Sequence, residues 1–559
     1  MQKNLFLTLS ACSLFAVLAS CSKMGALSAD NFTVTPNPLE TNGGKVPTTI
    51  NGKFPEKYMK KKAVVTVIPE LRYGNGLVSQ GESATFQGEK VKGNDQQISY
   101  RLGGRYNMKS TFTYVPEMQQ SDMYLTFDAH IGKKKVNIPA VKVATGVIAT
   151  SELYKRAIAS DGGCIALDQF ERVKKQKQEA NIRFLINQAN LRKSELKNNS
   201  VAEFVRMLKK INQDRERLNI QNVEVQAYAS PEGGFAFNDK LANKRQNTSE
   251  GYVKQQLKQT GVRTGIDAHY TAQDWEGFQQ LVQASNIQDK DVILRVLSMY
   301  KDPQERERQI RNMSEGFREL ADGILPELRR SRLIINYETI GRSDEEIEDQ
   351  YNKDARVLSV DELLYYATLQ DNTAKKEEIY KKTADCYDKD YRAFNNLAVL
   401  EITKGNDAAA KRYLSQAIRA NNNAPEAYAN QGLLFLKDGK VTEAENEISK
   451  ATDANNFGQA LGALDIAKGD FAKAEGSLKG IDSNMAALAQ LLNKNYAGAA
   501  ATLDAVKTPD GLTDYLHAIV AARRGNKFAT ESYLNEALKK DPSLKAYVDK
   551  DLELAILKK

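Results

Sequence analysis

Two consecutive stretches near the C-terminus share one pattern, and this pattern decides the fold of the last third of the chain. Residues 391–420 read YRAFNNLAVLEITKGNDAAAKRYLSQAIRA, and residues 425–454 read PEAYANQGLLFLKDGKVTEAENEISKATDA. Small and large apolar residues that return at one period predict pairs of short helices, each packed on the next pair. The positions that match at a spacing of 34 are Phe394 and Tyr428, Ala398 and Gly432, Ala410 and Ala444, Leu414 and Ile448, and Ala417 and Ala451.

This period and its small residues resemble tetratricopeptide (TPR) repeats, whose helix pairs stack into a solenoid. We therefore expect residues 359–559 to form an all-α solenoid of about five or six units, several of them degenerate. The resemblance implies a concave groove that binds a peptide or a partner helix. Five side chains on the first helices of two repeats could line this groove or could simply face solvent, namely Tyr391, Asn395, Asn396, Asn430 and Gln431.

Upstream of the repeats, residues 181–340 alternate between predicted strands and predicted helices. A strand at 223–229 leads through the turn at 230–234 into a helix that carries Arg245. A basic segment at 328–335 predicts the last strand, and residues 276–327 predict a helical insertion. This arrangement resembles the OmpA-like domain, an α/β fold that binds peptidoglycan.

The resemblance also implies a site for the zwitterionic end of diaminopimelate. In that family an Asp in the turn takes the ammonium group, and an Arg on the helix takes the carboxylate as a bidentate fork. Here the Arg falls on Arg245, but the Asp falls on the uncharged Ser230. Glu232 could supply the charge from a displaced position, and Asn238 matches an Asn that suits either a ligand or a helix cap. The alternative is a domain that keeps the fold and has lost the glycan site.

Residues 31–145 predict a β-sandwich. Segments at 63–68, 98–102, 110–115 and 124–130 are rich in β-branched and aromatic residues, alternate with period two, and are separated by turn residues. Two lysine triplets, at 60–62 and 133–135, could meet anionic headgroups or polymers, or could keep hairpin tips soluble. Residues 146–180 are expected to form a linker or helical connector.

The N-terminus predicts export and a lipid anchor. Lys3 precedes an apolar stretch at 5–18 that is too short to span a bilayer but suits a signal peptide, residues 1–20. Leu18-Ala19-Ser20-Cys21 resembles a bacterial lipobox, which implies diacylglycerol and an N-acyl chain on Cys21, followed by a linker at 21–30. Ser22 is not the Asp that the resemblance associates with inner-membrane retention. We therefore expect an outer-membrane lipoprotein that faces the periplasm; the alternative is an ordinary signal peptide with a chance Cys.

The composition leaves little room for other classes of function. Apolar residues make up 41% and charged residues 27%, which is typical of globular chains and excludes a polytopic membrane protein. The net charge of +8 is weak evidence for nucleic acid, and none is expected as a partner. Three His and four Cys offer little for metal sites or disulfides, so no metal or other cofactor is expected and Cys164 and Cys386 are predicted to be free thiols. No hydrolase, phosphate-loop or Cys-x-x-Cys motif is present, so no catalytic residue is assigned.

Together these features predict a non-enzymatic tether and scaffold. Lipid would hold it to the outer membrane, the OmpA-like domain would contact peptidoglycan, and the solenoid would bind a protein. Joining these contacts in one chain raises their effective concentrations. The alternative is a periplasmic subunit of a multiprotein secretion or assembly machine, whose OmpA-like domain no longer binds peptidoglycan. A wall hydrolase, which would need an unseen pair of acids, is the third possibility.

Overall fold

The computed structural model describes residues 24–287, 289–312 and 319–558. Cys21 and the predicted signal peptide lie outside these residues. The chain is multidomain, with mixed sheets and many helices, and divides into two compact units. The first unit holds the described residues up to Asp168 together with those from Ser359 onward, and the second unit is Gln169–Leu358.

The first unit opens with strands in two larger sheets and one short pair. One sheet has the order β1-β3-β8, the other has the order β10-β9-β4-β6-β7 with β5 and β11 beside it, and β2 pairs with β12. The strands are β1 (Phe32–Thr35), β2 (Leu39–Glu40), β3 (Lys45–Phe54), β4 (Ala63–Tyr73), β5 (Leu77–Gln80), β6 (Ala84–Gly88), β7 (Gln96–Ile98), β8 (Gly104–Thr113), β9 (Ser121–Ile131), β10 (Lys134–Val136), β11 (Val141–Thr145) and β12 (Val147–Ile148), and short 3-10 helices cover Ala29–Asn31, Pro116–Gln119 and Thr150–Leu153.

Alternation along these strands places one face of each sheet in a shared core. Val46 and Ile50 of β3 belong to the same apolar cluster as Val65 and Val67 of β4, because alternate residues of a strand point to one face. Three of the four predicted segments coincide with β4, β8 and β9. The fourth does not continue past Ile98, since residues 99–103 form a turn in which Gly103 has φ +69°.

From Val360 onward the first unit is helical and TPR-like. Helices Tyr391–Thr403 and Pro425–Lys437 begin 34 residues apart, as do their partners Asp407–Ala420 and Val441–Ile448. The predicted helix-pair repeat is therefore confirmed. The remaining helices of this part are Val360–Thr368, Thr373–Cys386, Phe457–Lys468, Phe471–Ser477, Asn484–Leu492, Tyr496–Ala505, Gly511–Arg523, Lys527–Lys540 and Lys545–Val548, with 3-10 helices at Pro542–Leu544 and Leu552–Lys558.

Close helix approach explains why small residues recur in these repeats. A Cβ atom at Gly432 would overlap Ile448 Cγ1 and lie 3.2 Å from the carbonyl oxygen of Ala444. We expect Gly432→Ala to lower the free energy of unfolding by about 1–2 kcal/mol, because overpacking outweighs the better helix propensity of Ala. Gly476→Ala is the matched control, since no atom lies within 4 Å of its added Cβ. Urea denaturation checks both, and equal effects of the two changes would contradict the packing account.

The strands and the solenoid were expected to be modules in series, but they belong to one compact unit. Tyr547 Oη donates to the carbonyl oxygen of Ala149 at 2.9 Å, and Thr150 Oγ1 donates to Glu553 Oε1 at 2.6 Å. Arg523 also pairs with Glu553, which is almost fully enclosed. Contacts that join residues roughly 400 positions apart have no local sequence signal.

The second unit is a four-stranded sheet covered by helices. The sheet order is β13-β16-β14-β15, where β14 and β15 are parallel and the other pairs are antiparallel. Its strands are β13 (Val173–Arg183), β14 (Leu218–Tyr228), β15 (Gly265–Thr271) and β16 (Arg330–Ile340), and its helices are Asn199–Gln213, Phe235–Thr260, Trp275–Ala284, Lys290–Met299, Pro303–Arg311, Leu325–Leu328 and Asp344–Asp354, with a π-helix at Leu320–Ile324 and 3-10 helices at Glu195–Lys197 and Ala355–Val357.

The first strand of this unit starts earlier than the sequence pattern suggested. The expected boundary was residue 181, but β13 begins at Val173, inside the predicted connector 146–180. Its first half is exposed and carries Lys174, Lys175 and Lys177, so it lacks the apolar alternation of a buried strand. Lysines are common on edge strands because they discourage pairing with other chains.

Candidate functional site

Ser230, Glu232, Asn238 and Arg245 come together where β14 ends and the helix Phe235–Thr260 begins. Asn238 is 3% exposed and acts inside this turn. Its amide nitrogen donates to the carbonyl oxygens of Ser230 at 3.1 Å and Glu232 at 2.9 Å. The side chain therefore holds the turn closed rather than facing a ligand.

Arg245 is enclosed by the protein and is 1% exposed. Its guanidinium donates to three carbonyl oxygens, of Tyr228 at 2.8 Å, Gln188 at 3.0 Å and Leu185 at 3.2 Å. The same group lies 5.0 Å from the ring centroid of Phe184. Burial, together with the charge of Arg329, lowers the pKa of Arg245 to about 10. Arg245 thus satisfies buried backbone acceptors, a requirement that any buried carbonyl imposes.

Glu232 pairs with Arg329, to which the sequence pattern assigned no role in the site. Arg329 donates to Glu232 Oε1 through Nε at 2.9 Å and Nη2 at 2.6 Å, and Ser230 Oγ donates to the same oxygen at 3.0 Å. The only sequence signal for this arginine was the basic segment 328–335, which leads into β16. Glu232, the acid that could replace the Asp of the OmpA-like motif, is therefore already ion-paired with Arg329 within the unit.

A polar cavity of about 280 Å³ lies beside this turn, at the carboxyl ends of β14 and β15. Asp274, Arg330 and Arg332 line it, and Arg330 Nη2 lies 3.2 Å from Asp274 Oδ2. Burial raises the pKa of Asp274, while the backbone N–H of Gly277 and the charge of Arg330 oppose that rise. The cavity brings opposite charges within reach of one small polar molecule.

In the first unit, three of the predicted groove residues bind the chain itself. Asn395, Asn396 and Asn430 are between 0% and 2% exposed. Asn430 Oδ1 accepts from the backbone N–H of Cys164 at 2.7 Å, and the amide nitrogens of Asn430 and Asn395 both donate to the Cys164 carbonyl oxygen at 2.9 Å. Asn396 does the same for Ala166, accepting from its N–H at 2.9 Å and donating to its carbonyl at 3.0 Å.

Two further residues, which were not predicted, bind the same extended backbone at residues 164–168. Asn455 Nδ2 donates to the carbonyl oxygen of Ile165 at 3.1 Å, and Arg392 Nη1 donates to that of Asp168 at 2.8 Å. Of the remaining candidates, Tyr391 donates to Glu426 at 2.8 Å and Gln431 is half-buried on its helix. All five residues that grip the segment hold its backbone, which is how a groove recognises an extended chain.

A short helix, Tyr154–Asp161, precedes this extended segment and lies against the first helices of five successive pairs. Tyr154 Oη donates to the carbonyl oxygen of Leu436 at 3.2 Å, and Ala157 and Ile158 are buried in the solenoid core. We call residues 154–168 the groove segment. The predicted connector is therefore bound inside the solenoid over most of its first half.

Cys164, in the middle of the groove segment, is a free thiol, and so is Cys386, as predicted. Cys164 is fully buried, and burial raises its pKa to about 12. A thiol with so high a pKa is protonated at neutral pH and has little thiolate to react. Cys164 thus contributes packing.

Asp161 is the last residue of the short helix, and we expect its carboxyl group to make the stability of the fold depend on pH. The carboxylate accepts from the backbone N–H groups of Asn484 at 2.9 Å and Met485 at 2.8 Å. Burial raises the pKa of Asp161 to about 6, although these donors lower it in part. A carboxyl group with a raised folded-state pKa stabilises the fold below its unfolded pKa, and it loses that contribution as the pH rises through the folded pKa.

Asp161→Asn should therefore remove about 2 kcal/mol of this dependence across the window from about pH 4 to pH 7. The free energy of unfolding of the unaltered chain should fall relative to that of the variant as the pH rises. Urea denaturation of both proteins at the two pH values measures the difference. Parallel profiles would show that Asp161 does not titrate in this window.

No group of three His, Cys, Asp or Glu side chains in the part of the chain that the structure describes could hold a metal ion. No helix there is long and apolar enough to cross a membrane.

No protein family model matches the chain, and no curated protein matches it. Among solved structures, it is similar to a tetratricopeptide repeat protein from Parabacteroides merdae, with 16% identity and a TM-score of 0.29 over 39% of this chain and 91% of that one. It is also similar to the Pseudomonas aeruginosa protein pilF, with 16% identity and a TM-score of 0.26 over 39% of this chain and 99% of that one. A chain of the APC/C hetero-tetramer Cut9-Hcn1 is similar with 15% identity and a TM-score of 0.24 over 58% of this chain and 77% of that one. The TPR-like character of residues 359–559 rests on the chain's own helix pairs and their 34-residue spacing.

Proposed function

We propose that this chain is a non-enzymatic, lipid-anchored scaffold on the periplasmic side of the outer membrane, and that it serves a multiprotein membrane machine rather than the cell wall. The first strands would be a β-sandwich next to the lipidated Cys21, and the second unit would be an OmpA-like domain without its glycan site. The observation that carries this choice is the enclosure of Arg245. A guanidinium that is 1% exposed and donates to three carbonyls offers no fork to a carboxylate ligand.

The solenoid supports a role in protein binding, but not through the part of its concave face that holds the groove segment. There the asparagines and Arg392 already hold residues 164–168. A partner protein would therefore dock on the outer faces of the first unit, and the groove would serve to hold the strands and helices of that unit in one geometry.

Contact with peptidoglycan is the second candidate, and the polar cavity of the second unit favours it. Asp274 could take an ammonium group, and Arg330 or Arg332 could take a carboxylate, which together suit a zwitterion. This would be a displaced version of the family site. Arg332 is the best probe, because it is more exposed than Arg330.

Co-sedimentation with purified sacculi separates the two candidates. The chain of residues 22–559 should show no saturable binding if it is a machine subunit. Saturable binding that Arg332→Ala abolishes, and that the exposed control Arg263→Ala leaves intact, would establish the cell-wall contact and overturn the first candidate.

Membrane attachment is tested on the full chain in cells. Cys21→Ser should move the protein from the membrane fraction to the soluble periplasmic fraction, and purification of the lipidated protein from membranes should retain partner proteins in fixed stoichiometry. Persistence of Cys21→Ser in the membrane fraction, or a lipidated protein that purifies alone, would contradict the proposal.

A further inference from the structure

The two lysine triplets, which lie about 70 residues apart in the sequence, meet at one end of the strand region. Ala63 at the start of β4 pairs with Ile131 at the end of β9, and the backbone N–H of Gly132 donates to the Lys62 carbonyl oxygen at 3.0 Å. Lys61, Lys62 and the whole triplet at 133–135 are exposed. The fold therefore builds one basic surface from two loops.

Further loops extend this surface. The N–H of Lys90 donates to the carbonyl of Lys61 at 2.7 Å, and the Lys60 ammonium lies 5.1 Å from the ring centroid of Tyr100. We call this surface the lysine end, and define it as residues 55–62, 89–95, 99–103 and 132–135. It contains ten basic residues and three acidic ones, Glu56, Glu89 and Asp95. Glu89 accepts from Ser99 at 2.9 Å and keeps its charge, so ten basic and three acidic residues leave the surface with a formal charge of +7.

The lysine end is also where the N-terminal residues enter the fold. Tyr58 Oη donates to the Gly25 carbonyl oxygen at 2.7 Å, and Met24 is 3% exposed in the core of the strand region. Three residues from Met24 back to Cys21 span at most about 10 Å. If Cys21 is acylated, as the proposed function requires, the lysine end is held at the level of the lipid headgroups.

We propose that the lysine end is a docking surface for the phosphate headgroups of an anionic phospholipid bilayer. Attraction between lysines and such a surface acts within roughly one Debye length, about 8–10 Å at moderate ionic strength. The three residues from Met24 back to Cys21 are few enough to let the lysine end come within that range of the headgroups. Lipid then supplies attachment, and the lysines supply a second signal that orients the first unit with this end toward the membrane.

The test uses the chain without its acyl groups, residues 22–559, and vesicles of phosphatidylcholine with or without phosphatidylglycerol. The unaltered chain should bind only the vesicles that contain phosphatidylglycerol, and added salt should weaken the binding. A triple variant, Lys61→Gln with Lys62→Gln and Lys134→Gln, should partition on the order of a hundredfold more weakly. The control, Lys479→Gln with Lys507→Gln and Lys527→Gln, removes the same charge from exposed positions of the solenoid and should bind as the unaltered chain does.

Three results would overturn the proposal. They are equal losses in the two triple variants, equal binding to neutral and anionic vesicles, or lysine-dependent binding to polyglutamate without binding to vesicles. The last result would make the lysine end a site for acidic polymers. Failure here is distinguishable from failure of the lipid anchor, because the vesicle assay uses an unacylated chain whereas the anchor is read from Cys21→Ser in cells. Matching urea denaturation midpoints show that both variants are folded.

Discussion

Asn430→Ala is expected to lower the free energy of unfolding of the first unit by about 2–4 kcal/mol. Asn430 accepts from the N–H of Cys164 and donates to the carbonyl oxygens of Cys164 and of the Asn395 side chain. The residue is 0% exposed, so water cannot replace these contacts without opening the groove. Each buried polar group left without a partner costs about 1–3 kcal/mol.

The neighbouring position supplies a matched control. Gln431→Ala changes a half-buried amide one residue away, and should cost less than about 0.5 kcal/mol. Urea denaturation and limited proteolysis at residues 162–168 measure both variants, and only Asn430→Ala should expose the groove segment to protease. Equal stability and equal proteolysis of the two would show that the asparagines do not hold the segment.

Arg245→Ala is expected to cost the second unit about 3–5 kcal/mol. The change leaves the carbonyl oxygens of Leu185, Gln188 and Tyr228 without their donor and removes the group packed on Phe184. Several buried acceptors lost at once, together with a cavity, belong to the largest class of single-residue effects.

Two comparison variants sharpen this prediction. Arg245→Lys should recover only part of the loss, because one ammonium group cannot reach carbonyls on three sides as a planar guanidinium does. Arg263→Ala, at an exposed position of the same unit, should be close to neutral. If Arg245→Ala were neutral and abolished binding to sacculi, Arg245 would be a ligand-binding residue and the scaffold proposal would lose its main support.

The elements themselves were predictable wherever the pattern was local. A 34-residue period placed two helix pairs, and period-two alternation placed β4, β8 and β9, because the side chains that pack within one element are near each other in sequence. The edge strand β13 was placed too late, since its exposed lysines carry no alternation.

The candidate residues were found for reasons that the structure only partly shares. Asn395, Asn396 and Asn430 were expected either to line a ligand groove or to face solvent, whereas they are buried and hold the backbone of residues 164–166. Arg392 and Asn455 were not predicted. In the sequence of a helical repeat, an arginine or a loop asparagine that binds a distant carbonyl looks the same as one that faces solvent.

Local pattern in this chain was enough to predict two helix pairs, their repeat period and several strands such as β4, β8 and β9, since those depend on side chains within a few residues of one another. The occupant of the groove, the partners of Arg245 and Glu232, and the meeting of two lysine triplets at one end were settled by folding. Each depends on backbone atoms or charges from segments tens to hundreds of residues away, and a buried donor pairs with whichever acceptor the packed core presents to it.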